Sequence, residues 1–246
     1  MFASKNTSPN VAETRADDLR IGGLVRLSSV DWPGELVATV FLQGCPWRCP
    51  YCHNQHLLEA KPEDGSALIP WSEIREFLVG RVGLLDAVVF SGGEPVAQSL
   101  ISSAITEASD LGFKVGFHTG GAHSGRFAEI LPLLAWVGFD VKAPFADYER
   151  VTGVTGSGAQ ALESLRALAR SKIPFEVRTT VDPTLLGPDD LARMAAELDR
   201  EGVARWVIQP VRYQTGARSE AFGAATAKDL VCASDRARFT SFEIRT

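Results

Sequence analysis

Three cysteines stand within eight residues, in the run Gly44-Cys45-Pro46-Trp47-Arg48-Cys49-Pro50-Tyr51-Cys52-His53-Asn54. Thiolates at this spacing can converge from a single loop onto a soft metal centre. If that centre is a four-iron cube, three ligands leave one iron open to bind a small molecule directly. Other chemistry fits part of the same run. Cys49 to His53 spells C-x-x-C-H, the haem-attachment pattern, but haem attachment needs export and the N-terminus shows no apolar signal segment. Cys45, Cys49, Cys52 and His53 together could form a Cys₃His zinc knot, although structural zinc usually draws on two separated pairs. The fourth cysteine, Cys232, is a distant candidate ligand; beside apolar Val231 it reads as a buried, inert thiol.

Further along, polar groups stand where apolar runs end. Ser91-Gly92-Gly93-Glu94-Pro95 follows such a run. Its glycines let the backbone approach a ligand closely, and Glu94 adds an acceptor; a plain strand-to-helix turn is the other reading. His118-Thr119-Gly120-Gly121 ends the next run, where His118 is either a site residue or a histidine held by hydrogen bonds in the core. In Asp140-Val141-Lys142, residues two apart on a strand share a face, so Asp140 and Lys142 can pair across a polar pocket or form an ion pair at a rim. Arg178 lies inside an apolar run and needs a partner, which Glu94 or a bound cofactor would supply. Gln209, before Pro210, is a weaker candidate of the same kind.

The elements that must position these groups alternate. Gly22–Ser28 and Leu36–Leu42 flank the turn Asp31-Trp32-Pro33-Gly34. Strands follow at 86–90, 113–118, 136–141, 175–181 and 205–211. Helices are expected at 71–81, capped by Ser72, and at 97–111, 125–134, 159–171 and 188–201, the last opening on a proline. Residues 219–246 should hold one more helix and an edge strand. About six right-handed βα units imply a mostly parallel sheet, either a partial (β/α)6 TIM-like barrel or an open doubly wound sheet. In both, the site lies at the C-terminal strand ends, where these motifs fall. Residues 1–18 read as a flexible tail and 19–246 as a single domain.

Composition bounds the function. The 246 residues are 45% hydrophobic and 22% charged, ordinary globular values. A net charge of −5 argues against nucleic acid as partner. No apolar run approaches the roughly 18 residues that span a membrane. Four cysteines without a visible secretory signal point to the cytoplasm.

C-x-x-x-C-x-x-C with an aromatic before the last cysteine resembles the signature of the radical S-adenosylmethionine superfamily. From about Gly23 to Tyr213 the chain is similar to the activating enzymes of glycyl-radical proteins, above all the anaerobic ribonucleoside-triphosphate reductase activating proteins. The resemblance implies a [4Fe–4S] cluster on Cys45, Cys49 and Cys52, and S-adenosylmethionine at the open iron. Reductive cleavage would give a 5′-deoxyadenosyl radical that takes hydrogen from a glycine Cα of the partner reductase, with a flavodoxin- or ferredoxin-type electron donor. It implies that Gly92, Gly93 and Glu94 hold the cofactor's amino group, and that Tyr51 lies near the adenine unless it merely packs on the loop. It places His118 and Thr119 near the ribose or methionine, and Asp140, Lys142 and Arg178 in the cofactor site. It sets Asp31–Gly34 near the substrate entrance, if that turn is more than a hairpin. Related formate-lyase activases often carry aspartate where His118 stands, which leaves a monovalent-cation site there open. With one cysteine outside the loop, auxiliary clusters are not expected. The rival classes are a radical enzyme acting on a small molecule, of the 7-carboxy-7-deazaguanine synthase kind, and a zinc-binding interaction module.

Overall fold

Helical periodicity decides which face each helix buries. Helix α1 (Trp71–Val79) buries Trp71, Ile74 and Leu78, and α2 (Ile101–Asp110) buries Ile101, Ala104, Ile105 and Ala108. After the short α3 (Ser124–Ile130) and the single turn α4 (Glu149–Thr152), helix α5 (Ser157–Arg170) repeats the pattern with Ala161, Ser164, Leu165 and Leu168. Helix α6 (Pro188–Arg200) does so with Leu191, Met194, Ala195 and Leu198. A last turn, α7, spans Ala233–Arg236. The computed structural model describes residues 16–62, 65–212 and 231–245.

These helices need an apolar sheet face to cover, and the strands supply it. Eight strands pair strictly in sequence order: β1 (Ile21–Ser28), β2 (Val37–Leu42), β3 (Ala87–Gly92), β4 (Lys114–Thr119), β5 (Trp136–Asp140), β6 (Phe175–Val181), β7 (Arg205–Pro210) and β8 (Ser241–Ile244). β1 is antiparallel to β2, and every later pair is parallel. Among the described residues β1 and β8 do not meet, so the sheet stays open. The expected partial barrel of parallel strands is therefore present, with seven parallel strands rather than six.

Alternation along each strand separates two environments. Val40, Leu42, Val88, Phe90, Phe117, Phe139, Val177 and Trp206 join the large core with the helices. Trp32, Val37, Ala87, Val89 and Trp136 form a second, separate cluster. Trp32 is the plug of that cluster. It stacks on Trp136 at 5.4 Å and 15°, and a Cβ at Gly116 would lie 2.7 Å from its ring. The Asp31–Gly34 turn is thus more than a hairpin turn, because it delivers an indole into the sheet's concave side. On the far strands the partners are ionic. Buried Glu176 accepts from Arg205 at 3.0 Å and Arg245 at 2.9 Å, and Arg205 and Arg245 also pair with Glu243. This ladder fixes β8 against β7.

Several local expectations need correction. Ser72 does not cap α1; Pro70 precedes the helix, and the Ser72 amide donates to Asp17 at 2.8 Å. Ala16 is buried, so the last residues of the expected tail pack on the body, while residues 1–15 lie outside the described ones. Helix α2 starts at Ile101 rather than 97. Gln98 is extended there because its side chain bonds the backbone of Arg20 and Gln43. Pro132 breaks the 125–134 helix, which continues from Leu131 as a 3₁₀ turn. Of the 219–246 segment, α7 and β8 are seen, and residues 219–230 lie outside the described ones.

Trp32→Ala would empty a buried, stacked indole site that Gly116 and Trp136 cannot collapse to fill. A loss of about 3 to 5 kcal/mol in denaturant unfolding is expected; a loss below about 1 kcal/mol would show that Trp32 is not the plug.

Candidate active site

The cysteine loop begins where β2 ends, and backbone bonds close it at its base. The amides of Gly44 and Cys45 donate to the carbonyls of Leu57 and Leu58 at 2.8 and 2.9 Å. Buried Gln43 donates from Nε2 to the carbonyls of His56 and Glu59, tying down the returning segment. Arg48 reaches back to the Cys45 and Trp47 carbonyls, and its own amide donates to Thr152. Trp47 is buried beneath Gly120, where any Cβ would strike its ring.

The loop is docked on the end of β3 by glycine. Gly92 has φ +117°, and a Cβ there would meet Leu42. A Cβ at Gly93 would meet the Gly44 carbonyl, and 2.9 Å away the Leu57 carbonyl oxygen. The Glu94 amide donates to Gly44 O at 2.9 Å. The close approach that these glycines permit is therefore to the cysteine loop itself. Glu94 is fully enclosed, and its oxygens accept from Thr119 Oγ1 at 2.6 Å, Gly120 N at 2.9 Å and Val96 N. Burial raises its pKa against the pull of those donors.

His118 uses both ring nitrogens. Nε2 lies 2.7 Å from the Asp31 carbonyl, which can only accept, so Nε2 carries the proton and Nδ1 accepts from Ser91 Oγ at 3.2 Å. Burial, aided by the nearby Arg178 charge, lowers its pKa to about 3 and keeps the ring neutral. Arg178 finds its partner in Asp140, Nε to Oδ1 at 2.9 Å, and not in Glu94 as expected; its guanidinium lies over Gly138, which has no side chain to obstruct it. Lys142 stands 3.7 Å from the other Asp140 oxygen. Burial alone would push the Asp140 pKa up, but Arg178 and Lys142 hold it below the usual range. Burial opposes the Lys142 charge, yet Asp140 keeps its pKa well above normal.

All twelve candidate residues line one cavity of about 630 Å³: Cys45, Cys49, Cys52, Tyr51, Gly92, Gly93, Glu94, His118, Thr119, Asp140, Lys142 and Arg178. The volume suits a small-molecule cofactor. Gln209, Asp31, Thr180, Arg212 and Arg245 complete the wall. Sequence reasoning missed Gln43, Gln98, Arg48, Arg245 and Tyr148. A buried glutamine flanking a metal loop was the one signal available. Cys232 stands apart from this wall; it is exposed, with Sγ 2.9 Å from Asp235, because it heads α7 at the surface while Val231 turns inward.

The donor set fits a cluster. Burial pushes the Cys45 thiol up to about 12, with Glu94 adding to the effect, and burial also raises Cys49. Three half-buried thiols stand side by side in this loop, and a cationic centre would hold them as thiolates. Among the described residues no three His, Cys, Asp or Glu side chains converge closely enough for a single metal ion. An iron–sulfur cube gives each thiolate its own iron, so such convergence is not needed.

Two tests follow. Gly93→Ala should abolish iron and sulfide loading because the cysteine loop must lift off β3, while Gly125→Ala, at an exposed position with open space, should load normally; equal loading would contradict the docking. His118 is neutral when folded and has an unfolded pKa near 6.5. Its contribution to stability is complete above that value and is lost as pH falls from about 6.5 toward 3. Unfolding measured at pH 7 and 5 should therefore show a smaller acid loss in His118→Gln than in the parent, and an equal loss would contradict a neutral His118.

Comparison with known proteins agrees with this chemistry. The sequence model of the Radical SAM superfamily matches residues 39–200. A Methanocaldococcus jannaschii protein provisionally named a glycyl-radical enzyme activating enzyme is 31% identical over 183 residues, covering 71% of this chain and 73% of the relative. The pyruvate formate-lyase-activating enzyme of Clostridium pasteurianum is 27% identical over 185 residues, covering 73% and 75%. The crystal structure of QueE from Escherichia coli superposes with a TM-score of 0.63 over 97% of this chain and 100% of that one, at 18% identity, which is likeness of fold. The chain belongs to the Radical SAM superfamily, as an enzyme whose cofactors are a [4Fe–4S] cluster and S-adenosylmethionine.

Proposed function

We propose that this enzyme generates a glycyl radical on a partner protein, an anaerobic ribonucleoside-triphosphate reductase, from a single domain spanning residues 19–246. The observation that carries the reading is the 31% identity, over most of both chains, to a relative named for glycyl-radical activation. When bound, the reduced cluster and S-adenosylmethionine supply a 5′-deoxyadenosyl radical able to take a hydrogen atom from a glycine Cα.

The chain's own residues provide geometry and charge. Cys45, Cys49 and Cys52 hold the cluster, from a loop whose base is fixed by Gln43 and Gly93. Gly92, Gly93 and Glu94 receive the amino group, with Thr119 fixing the Glu94 carboxylate. Lys142 and Arg178 carry two positive charges against one negative charge on Asp140, so one positive charge faces the cavity to meet the cofactor's carboxylate. Tyr51, buried at the cavity wall, covers the adenine. His118 holds the Asp31 carbonyl and thereby the segment that ends in Trp32. No group need act as general acid or base. A flavodoxin- or ferredoxin-type protein supplies the electron, and the cytoplasm is the compartment. Among the described residues no helix is long and apolar enough to cross a membrane.

The test mixes the reconstituted, reduced enzyme with S-adenosylmethionine and an anaerobic ribonucleotide reductase, and reads the paramagnetic spectrum of the reductase. A doublet that collapses when the reductase carries α-deuterated glycine is expected. Cofactor cleavage that leaves the reductase unmodified, yet speeds up with a small-molecule substrate, would contradict the activase reading.

A further inference from the structure

Lys142 lies two residues beyond the end of β5, and its amide does not join the ladder to β6. Its partner is a side chain: Lys142 N donates to Tyr148 Oη at 3.1 Å, and that hydroxyl donates to the Asp140 carbonyl at 3.3 Å. One phenol oxygen thus pins both ends of the Asp-Val-Lys turn. The Tyr148 ring is 1% exposed, stacked on Phe145 at 5.8 Å and edge-on to Trp47 at 5.8 Å and 73°.

The same helical turn also grips the cysteine loop. Thr152, the last residue of α4, accepts the Arg48 amide at 2.8 Å, while its own amide and hydroxyl both donate to the Tyr148 carbonyl. Thr152 is fully buried, its hydroxyl lies 2.7 Å from Ser157 Oγ, and Gly153 at φ +69° ends the turn. Trp47, between two of the cluster ligands in sequence, packs on Tyr148 from one side and lies within 5.8 Å of Lys142 Nζ. Residues 148–152 therefore touch both halves of the site: the loop that holds metal and the strand end that presents Asp140 and Lys142.

We propose that Tyr148 is a positioning residue, whose hydroxyl aims Lys142 and Asp140 at S-adenosylmethionine while its ring and the turn it begins tie that half of the site to the cysteine loop. It rests on the reading that Lys142 faces the cofactor. Without the hydroxyl, a part-buried amide is left without its protein partner, and the Lys142 backbone must turn to find another. The ammonium then leaves its place beside Asp140. The Trp47 contact uses only the ring, so it survives.

The experiment compares the parent enzyme with Tyr148→Phe and Lys142→Met after anaerobic reconstitution. Iron and sulfide content, melting temperature, and the change in the reduced cluster's paramagnetic spectrum during S-adenosylmethionine titration are measured, with no partner protein present. Tyr148→Phe should keep its cluster content and bind S-adenosylmethionine about tenfold more weakly; Lys142→Met should lose at least as much. Unchanged binding in Tyr148→Phe with weakened binding in Lys142→Met would overturn the positioning role and leave the cofactor site intact. Unchanged binding in both would overturn the site reading itself. Loss of the cluster in Tyr148→Phe would also overturn the proposal, since its hydroxyl does not touch the cysteine loop.

Discussion

A loop carrying three thiols has no tendency of its own to hold them in a fixed array. Everything at this site depends on how the loop after β2 is pressed onto the end of β3. That contact is backbone on backbone: the Glu94 amide on the Gly44 carbonyl, and Gly93 against Gly44 and Leu57 with no space for a side chain. Because β2 and β3 are neighbouring parallel strands in register from Val37 with Ala87 to Leu42 with Gly92, their ends arrive together. Gln43 and Gln98 then hold the loop's exit and entry to the same frame. The three cysteines are placed by the sheet, through hydrogen bonds that carry no sequence signature of their own.

The remaining strand ends add charge in a fixed order around the cavity. Glu94 is spent on the end of β4, His118 on Asp31, and Asp140 on Arg178 and Lys142. Each polar group that looked like a free site residue is thus also structural. Such double use is physically required, since an unpaired carboxylate or guanidinium in this much protein would be costly. Within the Asp140–Arg178–Lys142 group it leaves one surplus positive charge beside the cysteine loop, suited to an anionic end of a ligand. The Trp32 plug packs on Trp136 beside β4, and the Glu176–Arg205–Arg245–Glu243 ladder ties β6, β7 and β8 together.

Much of this was legible in the sequence. The cysteine spacing, the glycine-rich turn and the Asp-x-Lys pair each sit at the end of an apolar run, and those runs are nearly continuous because the strands are buried on both faces. The strands at 175–181 and 205–211 were placed within a residue of their observed bounds. What was not legible arises from contacts distant in sequence. Nothing near Arg178 says that Asp140, and not Glu94, will lie beside it in the neighbouring strand. Gln98 breaks a helical pattern only because Arg20 and Gln43 need its amide. Tyr148 lies outside every expected element and gives no signal until the fold puts its hydroxyl beside the Lys142 amide. The glycines were read as allowing close approach to a ligand; the fold shows that they also allow close approach of the protein's own loop.

The most direct test of the account is cofactor cleavage itself. The enzyme would be reconstituted anaerobically with iron and sulfide, reduced, and given S-adenosylmethionine, and 5′-deoxyadenosine would be measured in the parent and in Cys49→Ala. The account predicts 5′-deoxyadenosine from the parent and none from the variant. No 5′-deoxyadenosine from a parent with a verified four-iron cluster and bound S-adenosylmethionine would contradict it.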